Sequence, residues 1–168
     1  MKVLLRKTSR EDLNAIYNLH LECFKPIDVW YKSYLANFMN SGYVIENIEN
    51  IENSELIILG VLLYGNITAC DENETIILYG NGKNFINKPM RGITMLCVNK
   101  NYQCKGLATK LIDKYHNDNP NQTLCLHTRE SNINAISLYE KKGYKICGKI
   151  KDKYYFPIEN SLYMLFSG

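Results

Sequence analysis

No stretch of this chain approaches the roughly 18–20 consecutive apolar residues that a membrane-spanning helix needs. The first residues, Met1-Lys2-Val3-Leu4-Leu5-Arg6-Lys7, turn to charge after three apolar positions, so no secretory leader is expected. An excess of one charge is also missing. Twenty Lys and Arg against seventeen Asp and Glu leave a net charge of +3, and nothing in that balance calls for nucleic acid. Six cysteines (Cys23, Cys70, Cys97, Cys104, Cys125 and Cys147) form no CxxC pair and no Cys/His cluster, so a structural zinc or other metal site is not expected. Most stand inside apolar runs, as in Met95-Leu96-Cys97-Val98 and Leu124-Cys125-Leu126, and read as small buried hydrophobes of a reducing compartment. A cytoplasmic protein is the expectation.

What the chain does contain is ordinary material for one globular domain. It has 168 residues, 46% hydrophobic and 22% charged, and a single domain over 1–168 is the simplest division. A strand at 3–7 leads to Thr8-x-x-Glu11 and Ser9-x-x-Asp12, each with an acid three residues after a hydroxyl, and a first helix is predicted over 10–22. Trp30, Tyr31, Tyr34, Leu35, Phe38 and Met39 form one stripe, which predicts a second amphipathic helix from near Asp28 to Ser41-Gly42. A strand at 43–46, a polar turn at 47–55 and a buried strand at 56–64 follow. Residues 65–90 read as a long hairpin or insertion, with Ile76-Ile77-Leu78-Tyr79 as a candidate strand and a turn cluster at 80–84. The second half alternates regularly. Strands are predicted at 93–98, 123–127 and 144–147, helices at 107–115 and 132–142, and closing strands at 153–156 and 162–166.

The sharpest local feature is Gln103-Cys104-Lys105-Gly106-Leu107-Ala108, between a predicted strand and a predicted helix. Gly106 lets the backbone approach a ligand closely, and the amides of the loop and first helical turn converge with the helix dipole. Such a place suits an anion, a pyrophosphate above all, with Lys100, Lys105 and Lys110 adding diffuse positive charge.

This strand–loop–helix resembles the acetyl-CoA-binding motif of the GNAT superfamily of N-acetyltransferases. A second stretch, a strand ending at His127 followed by Asn132-x-x-Ala135-x-x-x-Tyr139-x-x-x-Gly143-Tyr144, is similar to the other signature of that superfamily. The resemblance is strong over 91–166 and thinner before it. It implies an α/β (mixed α+β) fold: one GNAT-like domain whose twisted mixed sheet of about seven strands is flanked by about four helices. Leu126-His127, Tyr154-Tyr155 and Phe24-Lys25-Pro26-Ile27 further resemble protein N-terminal acetyltransferases that act on Met-hydrophobic N-termini. In that subgroup Phe and Pro are adjacent, whereas Lys25 separates them here.

The resemblance also implies roles. Acetyl-CoA is the cosubstrate, held by Gln103, Cys104, Lys105, Gly106, Leu107, Ala108 and Thr109, while the backbone of Leu96, Cys97 and Val98 faces the pantetheine arm and the thioester oxygen. Asn132 touches the pantetheine arm or caps its helix, or does both. His127 accepts the ammonium proton through water, its ordinary pKa near 6.5 suiting a base. Tyr139 stands by the cofactor sulfur as proton donor. Phe24, Pro26, Ile27, Thr94, Tyr154 and Tyr155 line the acceptor groove. The subgroup's second base, a tyrosine on the strand before the loop, falls by ungapped alignment on Gly92. Tyr79, Tyr154 or Tyr155 replaces it, or His127 acts alone. His20 and His116 read as helix-face residues. The expected acceptor is a protein or peptide N-terminus, with no nucleic acid, no metal and room for an auxiliary subunit. Lysine side chains, small amines and a catalytically silent acyl-CoA-binding subunit remain the alternatives.

Overall fold

In the computed structural model, residues 1–49, 57–68, 76–78, 88–155 and 157–168 are described. The turn cluster at 80–84, most of the polar turn at 47–55, Cys70 and Tyr79 lie outside them. The described residues form an α/β fold of eight strands and four α-helices, against about seven and about four expected. Its contacts divide into two compact units, residues 1–64 with 95–118, and residues 65–94 with 119–168.

In the first unit, β1 (Val3–Lys7) pairs antiparallel with β2 (Gly42–Asn47), which pairs antiparallel with β3 (Ile58–Thr68). Helix α1 (Leu13–Cys23) starts where the hydroxyl–acid spacing put it, after one 3-10 turn. Asp12 accepts the Ser9 N–H at 2.7 Å and both terminal nitrogens of Arg6 at 2.8 and 2.7 Å. Burial pushes its carboxyl up, but the Arg6 guanidinium and the Ser9 amide outweigh burial and hold it below the ordinary carboxylate range. Ile16 and Leu19 then bury their side chains against Leu35, Met39, Val44, Val61 and Cys97.

The long second helix does not form. Pro26–Asp28 is a 3-10 turn, α2 is only Lys32–Leu35, and a further 3-10 turn covers Ala36–Phe38. Val29 and Tyr31 are extended, and the Trp30 N–H is taken by the His20 imidazole at 2.9 Å rather than by a helical carbonyl. The aromatic stripe still clusters without a continuous helix, since Trp30, Tyr34 and Phe38 lie 5.1–5.6 Å apart by ring centroid. In α3 (Leu107–Asn117), Leu107, Leu111, Ile112 and Tyr115 are buried.

In the second unit the strand order is β5 (Pro89–Val98), β6 (Thr123–Arg129), β8 (Ile158–Ser167), β7 (Lys145–Tyr155), β4 (Ile76–Leu78). β5 pairs parallel with β6 through Gly92↔Cys125 and Ile93↔Leu126, and the other pairs are antiparallel. The chain of β5 passes from this unit into the first after Thr94. The strands expected at 144–147 and 153–156 are one element, β7, interrupted by irregularities at Ile146/Gly148 and Ile150/Tyr154, with Asp152 at φ +48°. Helix α4 (Ile133–Lys141) ends as Gly143 foretold. Gly143 has φ +87°, its N–H donates to Glu140 O at 2.9 Å, and the Tyr144 N–H donates to Tyr139 O at 3.0 Å. Met90, Cys125, Cys147, Tyr163 and Leu165 make the core here.

Asp12 is 1% exposed, so Asp12→Ala takes from Arg6 one of its two carboxylate partners and leaves the Ser9 amide without its acceptor. Urea unfolding should show a loss of about 1.5–3 kcal/mol at neutral pH. Because the folded carboxyl is depressed, that contribution is present above the unfolded pKa and fades as pH falls through the folded value. An unchanged midpoint at pH 7 would contradict this role.

Candidate active site

The predicted anion loop sits at the start of α3. β5 ends at Val98, and Lys100–Tyr102 make a 3-10 turn capped by the Asn99 carbonyl oxygen, which accepts the Asn101 N–H at 3.0 Å. Gln103 folds back, its amide donating to Val98 O at 3.1 Å and fastening the loop to the strand end. Cys104 and Gly106 both take left-handed backbone, φ +59° and +77°. For Gly106 that conformation is free of strain, whereas a residue with a Cβ, such as Cys104, bears roughly 1–2 kcal/mol there. Cys104 is exposed, unlike buried Cys97, Cys125 and Cys147, so the expectation of buried thiols fails at the loop.

Gly106 is the N-cap of α3 and offers no side chain to the helix. The first helical bond is Lys110 N–H to Gly106 O at 3.0 Å, so the amides of Leu107, Ala108 and Thr109 lack intrahelical acceptors. A Cβ built on Gly106 would meet no atom within 4 Å. The loop therefore presents an accessible turn of N–H donors, and it fits an anion such as a pyrophosphate. Lys100, Lys105 and Lys110 are exposed around it, with the Lys105 ammonium 4.8 Å from the Tyr102 ring centroid. Of the expected pantetheine-facing residues, Cys97 and Val98 are buried and Leu96 is half-buried. The Val98 carbonyl is already engaged by Gln103 and by the Cys23 thiol at 3.4 Å.

The second unit holds His127, Tyr139, Asn132, Thr94 and Tyr154. After the Ile93↔Leu126 pair, the next residues along β5 and β6 are Thr94 and His127. Thr94 Oγ1 and His127 Nδ1 are both buried, and neither has a hydrogen-bond partner among the described residues. Two neighbouring strands thus end their pairing beside polar atoms that nothing in the described chain satisfies. Such atoms are costly unless water or a ligand meets them.

Burial, reinforced by the Lys153 charge, pushes the His127 pKa down to about 4. The expectation of an ordinary imidazole near 6.5 is therefore corrected. His127 is neutral throughout the physiological range, because a buried imidazolium would lose its hydration beside a like charge. Tyr139 is buried, and burial with the nearby Tyr154 raises its phenol above the ordinary value, so it stays protonated as a donor. Asn132 caps α4, its carbonyl oxygen accepting the Ala135 N–H at 3.3 Å.

Gly92 has no room for the subgroup's tyrosine. A Cβ there would lie 2.5 Å from Ile67 Cδ1 and 2.7 Å from both O and Sγ of Cys125. Among the candidates to replace that tyrosine, Tyr154 lies near Tyr139, and its ring carries the Arg129 guanidinium at 4.0 Å. The Tyr155 side chain and Tyr79 lie outside the described residues.

The expected acceptor turn belongs to the first unit. Phe24 is half-buried and packs 4.5 Å from the His20 ring, so it faces the core more than a lining residue would. Pro26 is exposed and opens the 3-10 turn, and the Ile27 side chain is outside the described residues. His20 corrects the helix-face expectation, since it is 1% exposed and accepts the Trp30 N–H. Its place two turns after Leu13 on an apolar helical stripe was the signal for burial, but nothing in the sequence named Trp30 as its partner. His116 is half-buried beside the Tyr115 ring. Among the described residues no group of three His, Cys, Asp or Glu side chains could hold a metal, and no helix is long and apolar enough to cross a membrane.

The acetyltransferase (GNAT) domain family matches residues 64–146. No curated protein sequence matches the chain. Solved structures do. Arabidopsis thaliana NAA60 in complex with acetyl-CoA is 18% identical with a TM-score of 0.78, over 99% of this chain and 100% of that one. The ribosomal-protein-S18-alanine N-acetyltransferase of Escherichia coli is 16% identical with a TM-score of 0.73, over 99% and 94%. An IAA acetyltransferase of Bacillus cereus is 15% identical with a TM-score of 0.65, over 99% and 100%. At such identity these likenesses establish a shared fold. The chain thus carries an acetyltransferase (GNAT) domain over residues 64–146, on a fold that it shares with solved acetyltransferases.

Proposed function

We propose that this chain transfers an acetyl group from acetyl-CoA to the α-amino group of a protein or peptide N-terminus, in the cytoplasm and by direct attack within a ternary complex. The observation that carries the reading is the uncapped first turn of α3 behind left-handed Gly106, inside the matched acetyltransferase region. The amides of residues 107–109 and the helix dipole would hold the pyrophosphate, and the backbone at 96–98 would run beside the pantetheine arm. When bound, acetyl-CoA supplies the acetyl group as an activated thioester. The shared fold with NAA60 and the S18-alanine N-acetyltransferase supports the α-amino acceptor.

His127 would act as a neutral acceptor. Its pKa of about 4 lies some four units below that of a terminal amine near 8, so it does not store the amine's proton at equilibrium. It orients the amine, or a water next to it, while the proton passes to solvent. At pH 7 roughly a tenth of the amine is already neutral, so this assistance has modest work to do. Tyr139, held protonated by burial, would donate to the departing thiolate. For the acceptor, Pro26 would offer an apolar contact and the Tyr154 phenol a hydrogen bond, each within its own unit. The segments 24–31 and 151–158 contribute only Asp28 and Asp152, too few carboxylates for a polycationic amine.

Three outcomes follow. In a screen of short peptides with varied first residues, Met-Leu and Met-Ile termini should outcompete Ser-, Ala- and Asp-starting peptides and polyamines. Preference for an acidic first residue or for a polyamine would refute the acceptor assignment. In NMR titration the His127 ring should keep neutral shifts from pH 8 down to about 5 and change only near pH 4; an inflection near 6.5 contradicts its burial. His127→Ala should lower kcat by about 10²-fold or less, with partial recovery at alkaline pH. Tyr139→Phe should show no such recovery, and steady-state pH profiles of the two variants separate the roles.

A further inference from the structure

Three strand ends of the second unit meet in one side-chain cluster, of which only Tyr154 enters the reading above. Arg129 is the last residue of β6, Glu159 lies at the start of β8, and Tyr154 lies near the end of β7. Tyr154 and Glu159 face each other across the β7–β8 pair, and Arg129 faces Ser161, two residues along β8 from Glu159. Arg129 Nη1 donates to Glu159 Oε2 at 3.2 Å, and the two side chains are only 15% and 13% exposed. The guanidinium carbon lies 4.0 Å from the centroid of the Tyr154 ring. The other Glu159 oxygen accepts the N–H of Ser131, in the turn that leads into α4.

Each contact restrains the next. Glu159 is anchored by a backbone amide at the entrance to α4 and holds the guanidinium through Nη1. The guanidinium carbon lies over the ring of a tyrosine whose strand pairing is irregular between Ile150 and Tyr154. A planar, fixed cation over a ring is the arrangement that guanidinium achieves and an ammonium does not. We propose that Arg129, held by Glu159, is a positioning residue that fixes the ring of Tyr154 and thereby sets acceptor binding. This rests on the reading of Tyr154 as an acceptor-groove residue.

The test uses the full chain labelled with 3-fluorotyrosine, the Tyr154 signal being assigned by its loss in Tyr154→Phe. Arg129→Ala and Glu159→Gln should both move that ¹⁹F resonance, with Arg129→Lys intermediate. With acetyl-CoA and a Met-Leu peptide, Arg129→Ala should raise the peptide KM by about threefold to thirtyfold and leave the acetyl-CoA KM unchanged. In a Tyr154→Ala background the same substitution should have little further effect, because the cycle removes the ring through which Arg129 acts. A Tyr154 resonance unmoved in folded Arg129→Ala or Glu159→Gln protein overturns the proposal. So does a KM increase that persists undiminished without the Tyr154 ring, or one that falls equally on both substrates. Should the wild-type chain acetylate no peptide, the acceptor reading falls. The ¹⁹F shift then still decides whether Arg129 holds the ring.

Discussion

A helix whose first turn has no cap is an unfinished hydrogen-bonding arrangement, and the proposed function of this chain rests on α3 being left that way. Most helix starts are closed by a Ser, Thr, Asp or Asn side chain, as Asn132 closes α4 here. Position 106 instead holds glycine at φ +77°, which supplies the turn and contributes no oxygen. The apolar side of α3, through Leu107, Leu111, Ile112 and Tyr115, fixes the helix in its unit so that its unpaired amides are held in one place. Gln103 ties the preceding loop to the end of β5. A preorganised set of donors binds an anion without first paying to order itself.

The second constraint is burial around His127. Moving an imidazole out of water beside Lys153 lowers its affinity for a proton until it remains neutral. That separates two jobs that an exposed histidine would combine. It can accept a hydrogen bond from an amine or a water, yet it does not compete with solvent for the proton. Tyr139 is governed by the same physics in the opposite chemical sense, since burial keeps its phenol protonated. Two groups of fixed protonation state therefore arise mainly from desolvation, with the Lys153 charge and Tyr154 adding to it.

The sequence was most legible where local rules coincide with tertiary ones. The hydroxyl–acid spacing before α1, the strand–loop–helix around Gly106 and the glycine closing α4 all appear as read, because each depends on contacts within a few residues. The segment 28–41 was misread because its aromatic stripe has helical spacing while its backbone does not. Trp30 gives its N–H to His20, ten residues back, and periodicity cannot report that bond. The depressed His127 pKa and the contacts of Arg129 with Glu159 and Tyr154 were likewise invisible, since they join residues 25 to 30 positions apart. Gly92 shows the converse. An ungapped comparison marked a missing tyrosine, whereas Ile67 and Cys125 leave no space for any side chain there.

The account depends most on the α3 amides being the seat of the cofactor's pyrophosphate, and calorimetry of acetyl-CoA binding to Gly106→Trp tests it directly. The added side chain has no internal neighbour to clash with, so the fold should survive, as circular dichroism can verify. Its Cβ and ring would occupy the space before the amides, in a backbone conformation that disfavours them. Acetyl-CoA affinity should fall by orders of magnitude in this folded variant. Wild-type affinity in the same variant would contradict it.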